Sequence, residues 1–181
     1  MTCRTCSGSS ESPLIDPQKL AIVALGSNLG DSRQRVIRAM DQLQTLSTEP
    51  VLRSSLWQTT PLNCPPDSPL FVNALVALVP FVGETPESLL AKLQAIEREF
   101  GRQPKRVHNE PRPIDLDLIT FGNQTRATKD LVLPHPRAHL RRFVLEPLHE
   151  FAPDLVLPGQ ARAVRDLLSR LPADVNMRRM S

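Results

Sequence analysis

Asp115 and Asp117 stand two residues apart in Ile114-Asp115-Leu116-Asp117-Leu118, a segment in which apolar and acidic residues alternate. Alternation with period two marks a β-strand, so both carboxylates project from one face with Cα atoms roughly 6.6 Å apart. Such a pair can bridge two Mg²⁺ ions about 4 Å apart while those ions grip nucleotide phosphates. On spacing alone, a D-x-D edge strand facing water is the commoner explanation. The neighbours shift the balance: Arg112 precedes Asp115 by three residues, and Arg102, Lys105 and Arg106 lie in the proline-bearing loop before it. Carboxylates beside guanidiniums are the components of phosphoryl transfer by positioning and electrostatic stabilisation. His135 sits between Pro134 and Pro136, with Arg141 and Arg142 close behind. Flanking prolines restrict the backbone and could aim the imidazole at a ligand, although an incidental loop histidine fits the same residues. His108, His139 and His149 show no metal-ligand spacing.

These groups need elements to hold them. Leu20 to Leu25 is an apolar run leading into Gly26-Ser27-Asn28-Leu29-Gly30, which reads as a buried strand followed by a turn. Asp31 or Ser32 can cap a helix over 32–46, whose apolar stripe is Val36, Ile37, Met40, Leu43 and Leu46. Val51 to Thr59 reads as a second strand, and Thr60 to Leu70 as a loop. Phe71 to Val79 is nearly all apolar, as expected of a central strand covered on both faces. Thr85-Pro86-Glu87 opens a helix with a capping hydroxyl, proline at the first helical position and an acid in the first turn. Its stripe is Leu89, Leu93, Ile96 and Phe100, which leaves Gln94 and Glu97 sharing a face away from it. Ile114 to Phe121 is the strand with the two carboxylates. The order β-α-β-β-α-β predicts an α+β, ferredoxin-like antiparallel sheet with helices packed on it. A C-terminal extension follows, with a short strand or turn at 131–134, short helices around 137–150 and a terminal helix over 161–171.

With 181 residues, the chain has room for one domain of ordinary size. Residues 1–18 read as a disordered N-terminal extension and 19–181 as one folded domain. The net charge is +3, and 18 of the 22 cations are arginine, the side chain suited to bidentate contact with phosphate or carboxylate. From Arg98 to Arg142 ten cations face five acids, so the basicity is concentrated around the candidate site. Cys3, Cys6 and Cys64 supply neither a disulfide framework nor a complete zinc site. No run approaches the roughly 20 apolar residues of a membrane span, and the N-terminus has no signal-peptide pattern. A cytoplasmic protein is expected.

The chain resembles the 6-hydroxymethyl-7,8-dihydropterin pyrophosphokinase family over residues 20–158. The resemblance rests on Ala24-Leu25-Gly26-Ser27-Asn28-Leu29-Gly30, Phe71-Val72-Asn73-Ala74, Pro111-Arg112-Pro113-Ile114-Asp115-Leu116-Asp117-Leu118, Leu133-Pro134-His135-Pro136-Arg137 and Phe143-Val144-Leu145-Glu146-Pro147-Leu148. It implies transfer of diphosphate from ATP to the pterin hydroxymethyl group with release of AMP. Asp115 and Asp117 would then hold two Mg²⁺ ions, Arg102 and Arg112 would grip the migrating phosphates, and Gln94, His135 and Arg141 would contact the nucleotide. Phe71 and Phe143 would sandwich the pterin, Asn73 would bond its edge, and Thr60, Pro61 and Leu62 would complete the pocket. The resemblance implies no nucleic-acid or membrane partner, and a monomer is expected. The loop departs from the family at Pro104 and His108, Phe71 replaces a familiar tyrosine, keeping the ring face but losing a hydroxyl, and Pro136 replaces another aromatic beside His135. Two other readings remain open at this level: a basic ferredoxin-like nucleic-acid-binding module, and a nonenzymatic pterin- or nucleotide-binding relative. Nine of the 18 prolines fall in the three connections that flank the implied contacts, where they limit loop freedom.

Overall fold

The computed structural model describes residues 16–61, 69–103, 111–173 and 176–181. Its strands are β1 (Ala21–Ser27), β2 (Leu52–Arg53), β3 (Trp57–Thr59), β4 (Phe71–Leu78), β5 (Asp115–Phe121), β6 (Arg126–Ala127), β7 (Val132–Leu133) and β8 (Arg178–Arg179). The α-helices are α1 (Ser32–Gln44), α2 (Pro86–Glu99), α3 (Arg142–His149) and α4 (Val164–Arg170). The main sheet runs β5-β1-β4-β3-β8, with β2 also on β4, and every pairing is antiparallel. This is the α+β, ferredoxin-like arrangement expected from the element order.

Local chemistry sets most boundaries. The Asp31 side chain accepts from the Gln34 backbone N–H and starts α1. Thr85 caps α2 through the Ser88 N–H at 3.1 Å, and the Ser88 hydroxyl returns the bond to the Thr85 N–H at 2.9 Å. At the other end Gly101 takes φ +85°, a left-handed conformation that turns the chain back towards the helix.

Three expectations are corrected. Gly26 and Ser27 belong to β1 and not to the turn after it, because β4 and β5 flank that strand and pair with both residues or with Gly26. The strand expected over Val51 to Thr59 is broken into β2 and β3. At the break the Ser54 hydroxyl accepts the Leu75 N–H at 2.8 Å, a ladder position a backbone carbonyl would otherwise fill. The last residues form β8 on the edge of β3, an element the sequence reading lacks.

The sheet carries a core on each face. On one, Val23, Leu25, Val76 and Leu78 meet Val36 and Leu43 of α1 and Leu89 and Leu93 of α2. On the other, Ile22, Leu75 and Ile119 meet Val144, Leu145 and Leu148 of α3 and Val164 and Leu168 of α4. Both faces of β4 are thereby covered, as its apolar run predicts, and the C-terminal segment supplies the second cover. An irregularity in β5 opposite Ile22 and Val23 sends Ile119 and Phe121 to opposite faces although they are two residues apart. Among the described residues, no helix is long and apolar enough to cross a membrane.

Candidate active site

The carboxylates of β5 meet arginines from three directions. Arg102 Nη1 lies 2.7 Å from Asp115 Oδ1, Arg112 Nη1 lies 2.7 Å from Asp115 Oδ2, and Arg141 Nη1 lies 3.7 Å from Asp117 Oδ2. Arg102 follows the turn after α2, Arg112 lies three residues before β5, and Arg141 occupies the N-cap position of α3. Arg112 is held by its backbone: its N–H donates to Asn28 Oδ1 at 2.9 Å, and its carbonyl accepts from the Asn28 N–H at 3.3 Å. Ser27 Oγ donates to the Pro113 carbonyl at 2.7 Å. Ser27 and Asn28 are buried, so they clamp the Pro111-Arg112-Pro113 segment rather than merely turning the chain.

Charge and burial act against each other here. Burial raises the Asp117 carboxyl to about 6, the charge of Asp115 adds to that rise, and Arg141, Arg102 and Arg112 oppose it. His135 is pushed down to about 4 by burial and by the charges of Arg141 and Arg137. Its Nδ1 accepts the Arg137 N–H at 3.2 Å, which leaves Nε2 as the N–H of a neutral ring. The Arg141 guanidinium is lowered chiefly by burial, and it lies 5.4 Å from the centre of the Phe143 ring.

The other half of the site follows from strand register. Gly26 pairs with Asp115 on one side and Asn73 on the other, so all three lie in one row across the sheet. Neighbouring strands are about 4.8 Å apart, which puts the Asp115 and Asn73 Cα atoms about 10 Å apart with a side-chain-free residue between them. A Cβ on Gly26 would come within 3.3 Å of Asn73 Oδ1 and 3.9 Å of the Phe71 ring. Asn73 is oriented by its Nδ2 donating to Thr59 Oγ1 at 2.8 Å. Phe71 and Phe143 are half-buried, as are Thr60 and Pro61. The row therefore carries the carboxylate and arginine cluster at one end and, at the other, the oriented Asn73 amide beside the Phe71 ring.

Most of the residues singled out in the sequence are gathered on this surface, with exceptions. Gln94 is exposed on α2, one turn from Glu97. Glu97 does not share that exposure as expected: it is buried against β5, where its Oε1 accepts the Leu116 N–H at 2.8 Å and pairs with Arg102. Burial raises its carboxyl above the ordinary range. Leu62, Pro104, Lys105, Arg106 and His108 lie outside the described residues. Sequence patterning also missed the close approach of Asn73 to Gly26 and the Ser27 and Asn28 clamp, whose only signal was a run of small polar residues.

Two carboxylates on one strand face suit Mg²⁺, which is commonly held by one or two carboxylates with substrate phosphates and water filling the remaining positions. Among the described residues, no cluster of three or more His, Cys, Asp or Glu forms a metal cage. Burial, with the Asp115 charge adding to it, raises the Asp117 carboxyl, and a bound cation would favour its charged form. An α+β fold presenting this carboxylate pair among arginines defines a class of site whose parts suit phosphoryl transfer by positioning and electrostatic stabilisation.

Comparison with known proteins specifies the family. The family model described as 7,8-dihydro-6-hydroxymethylpterin-pyrophosphokinase (HPPK) matches residues 22–153, and the chain belongs to that family. It is 42% identical over 151 residues to the 2-amino-4-hydroxy-6-hydroxymethyldihydropteridine pyrophosphokinase of Pseudomonas aeruginosa, covering 83% of this chain and 90% of the relative. It is 40% identical over 140 residues to the protein of that name from Haemophilus influenzae, covering 77% and 85%. The crystal structure of wild-type Plasmodium falciparum HPPK-DHPS with pteroate matches at a TM-score of 0.69 and 13% identity, covering 88% of this chain. The chain spans 47% of that longer protein, and the likeness shows the fold.

Proposed function

We propose that the protein transfers the terminal diphosphate of ATP to the hydroxymethyl group of 6-hydroxymethyl-7,8-dihydropterin, giving the pterin diphosphate and AMP for folate biosynthesis. The observation that carries this reading is the row Asp115, Gly26 and Asn73, with Arg102 and Arg112 each 2.7 Å from Asp115. One surface thus offers phosphate-binding cations at one end and the Asn73 amide beside the Phe71 ring at the other. The family membership and the names of the Pseudomonas and Haemophilus relatives support the same reaction.

The hydroxyl oxygen of the pterin attacks the β-phosphorus, the bond from that phosphorus to the bridging oxygen of the α-phosphate breaks, and AMP leaves with that oxygen. The hydroxyl proton passes to solvent. Asp115 and Asp117 would hold two Mg²⁺ ions, which would supply neutralisation of the triphosphate and a lowered pKa for the alcohol. Arg102 and Arg112 turn from Asp115 to the migrating phosphates and stabilise the charge that develops on them. Arg141 and neutral His135 bind the nucleotide, with Gln94 approaching from α2. Phe71 and Phe143 stack on the pterin, Asn73 bonds its edge, and Thr60 to Leu62 close the pocket. The chain acts as a cytoplasmic monomer.

The test is to mix the purified protein with ATP, Mg²⁺ and the hydroxymethyl-dihydropterin and to separate the nucleotides. Pterin-dependent AMP and the pterin diphosphate are expected in equal amounts. ADP in place of AMP, or AMP independent of the pterin, overturns the reading.

A further inference from the structure

Glu97 has no part in the reaction as described, yet it is only 7% exposed and makes two contacts at the centre of the site. Its Oε1 accepts the Leu116 N–H at 2.8 Å and also pairs with Arg102 Nη1. Leu116 stands between the two aspartates on β5, the edge strand of the sheet, whose outer side has no strand partner in that sheet among the described residues. Arg102 Nη1 in turn reaches Asp115 Oδ1 at 2.7 Å. One carboxylate oxygen thereby ties down both the strand that carries the aspartates and the guanidinium beside them. The backbone reinforces the link, since the Arg102 N–H donates to the Glu97 carbonyl at 3.0 Å after the turn at Gly101.

We infer that Glu97 is a positioning residue: it retains Arg102 at the phosphate site once the Asp115 carboxylate is taken up by substrate and its cation. The inference rests on the transferase reading above. In the ligand-free chain Arg102 is shared between two carboxylates, and a cation at Asp115 removes one of them. Without Glu97, an arginine released from Asp115 would regain the rotamer freedom of a long side chain, and ordering it again on a phosphate would weaken binding. Glu97 is buried behind the edge of β5 and is not displaced, so Arg102 keeps one fixed contact. Its remaining N–H groups stay available to an oxyanion.

A purely structural role would consist of capping the Leu116 N–H alone. Glu97→Gln separates the two roles, because its amide oxygen still accepts from Leu116 while the charge that holds Arg102 is gone. Glu97→Ala removes both. The experiment is calorimetric titration of the full chain with Mg²⁺ and an ATP analogue whose α and β phosphorus atoms are joined by methylene. It is run on the wild type, Glu97→Gln, Arg102→Ala and the double variant, with kcat and the pterin KM measured alongside. Glu97→Gln is expected to weaken analogue binding about tenfold and to lower kcat, with the pterin KM unchanged. In the Arg102→Ala background the same change is expected to cost less than about twofold. Hydrogen exchange at the Leu116 amide should stay slow in Glu97→Gln and quicken in Glu97→Ala. Equal losses in both backgrounds, or a loss confined to Glu97→Ala, overturn the inference. A wild type that binds the analogue but forms no AMP overturns the transferase reading and leaves the Arg102 anchor standing. A wild type that binds no analogue overturns both.

Discussion

Arg112 Nη1 rests 2.7 Å from Asp115 Oδ2 while Arg102 holds Oδ1 of the same carboxylate at 2.7 Å, so both oxygens are engaged before any substrate arrives. Asp115 therefore has two partners to exchange, and its charge is central to both states. Asp115→Asn is expected to lower kcat by about 100-fold or more, the scale of losing one electrostatic contributor in a preorganised site. The same variant leaves two guanidiniums without their shared counter-ion, and denaturant titration should show a loss of about 1–3 kcal/mol. A kcat within a few-fold of wild type removes Asp115 from the mechanism.

Asn73 approaches Gly26 so closely that any side chain there would crowd it. In Gly26→Ala the new Cβ sits 3.3 Å from Asn73 Oδ1 and 3.9 Å from the Phe71 ring, away from the arginines. The pterin KM is expected to rise about tenfold, in keeping with the 1–3 kcal/mol of an overpacked contact, with binding of the ATP analogue unchanged. Steady-state kinetics for each substrate checks this, and equal effects on both would contradict the assignment of Asn73 and Phe71 to the pterin.

His135 gives the ligand-free chain a pH dependence of known sign. Its folded pKa is down to about 4 from an ordinary 6.5, so between those values the unfolded chain binds the proton and the folded chain does not. Its contribution to stability is fully present above pH 6.5 and is lost as pH falls towards 4. Asp117 acts in the opposite sense: its carboxyl, raised to about 6, favours the folded state at low pH, and that support fades as pH rises through 6. Denaturant midpoints of wild type and His135→Gln between pH 4 and 7 test this. Relative to wild type, the variant should gain stability as pH falls, and parallel curves would show that the imidazole titrates normally.

The second core makes α3 a structural as well as a positional element. Leu145 is fully buried against Ile22, Leu75 and Ile119, two residues from Phe143. Leu145→Ala is expected to cost about 2–5 kcal/mol and to raise the KM for the pterin at temperatures where the protein stays folded. Thermal melting with kinetics at 15 °C below the midpoint checks both, and a loss under 1 kcal/mol would mean that α3 does not depend on this contact.

Much of this was readable in the chain because the signals are local. Thr85-Pro86 and Asp31 start helices by capping chemistry that involves only their own neighbours, and both do so in the structure. Gly26-Ser27-Asn28 misled because small polar residues favour turns when isolated, whereas β4 and β5 on either side draw Gly26 into a strand. Glu97 was misread for a related reason. Helical spacing places it four residues after Leu93, on the rim of the buried stripe, but its polarity argued for solvent, and what draws the carboxylate inward is the Leu116 N–H on the edge of β5, a partner outside the helix. The pairing of Arg178 and Arg179 with β3 likewise depends on an available edge and not on strand propensity.

Sequence alone determined that Asp115 and Asp117 share a face, since side chains on a strand alternate whatever surrounds it. It also determined the β-α-β-β-α-β order of the main elements, the concentration of arginine around that strand and the family to which the chain belongs. Tertiary structure decided what stands opposite those carboxylates. Arg102, Arg112 and Arg141 arrive from the ends of separate elements, and Asn73 comes into line only through the register of β4 on β1. The physical reason is range: alternation and capping are settled within a few residues, whereas the meeting of Glu97, Arg102 and Asp115 requires a helix packed on one face of a sheet to reach round its edge.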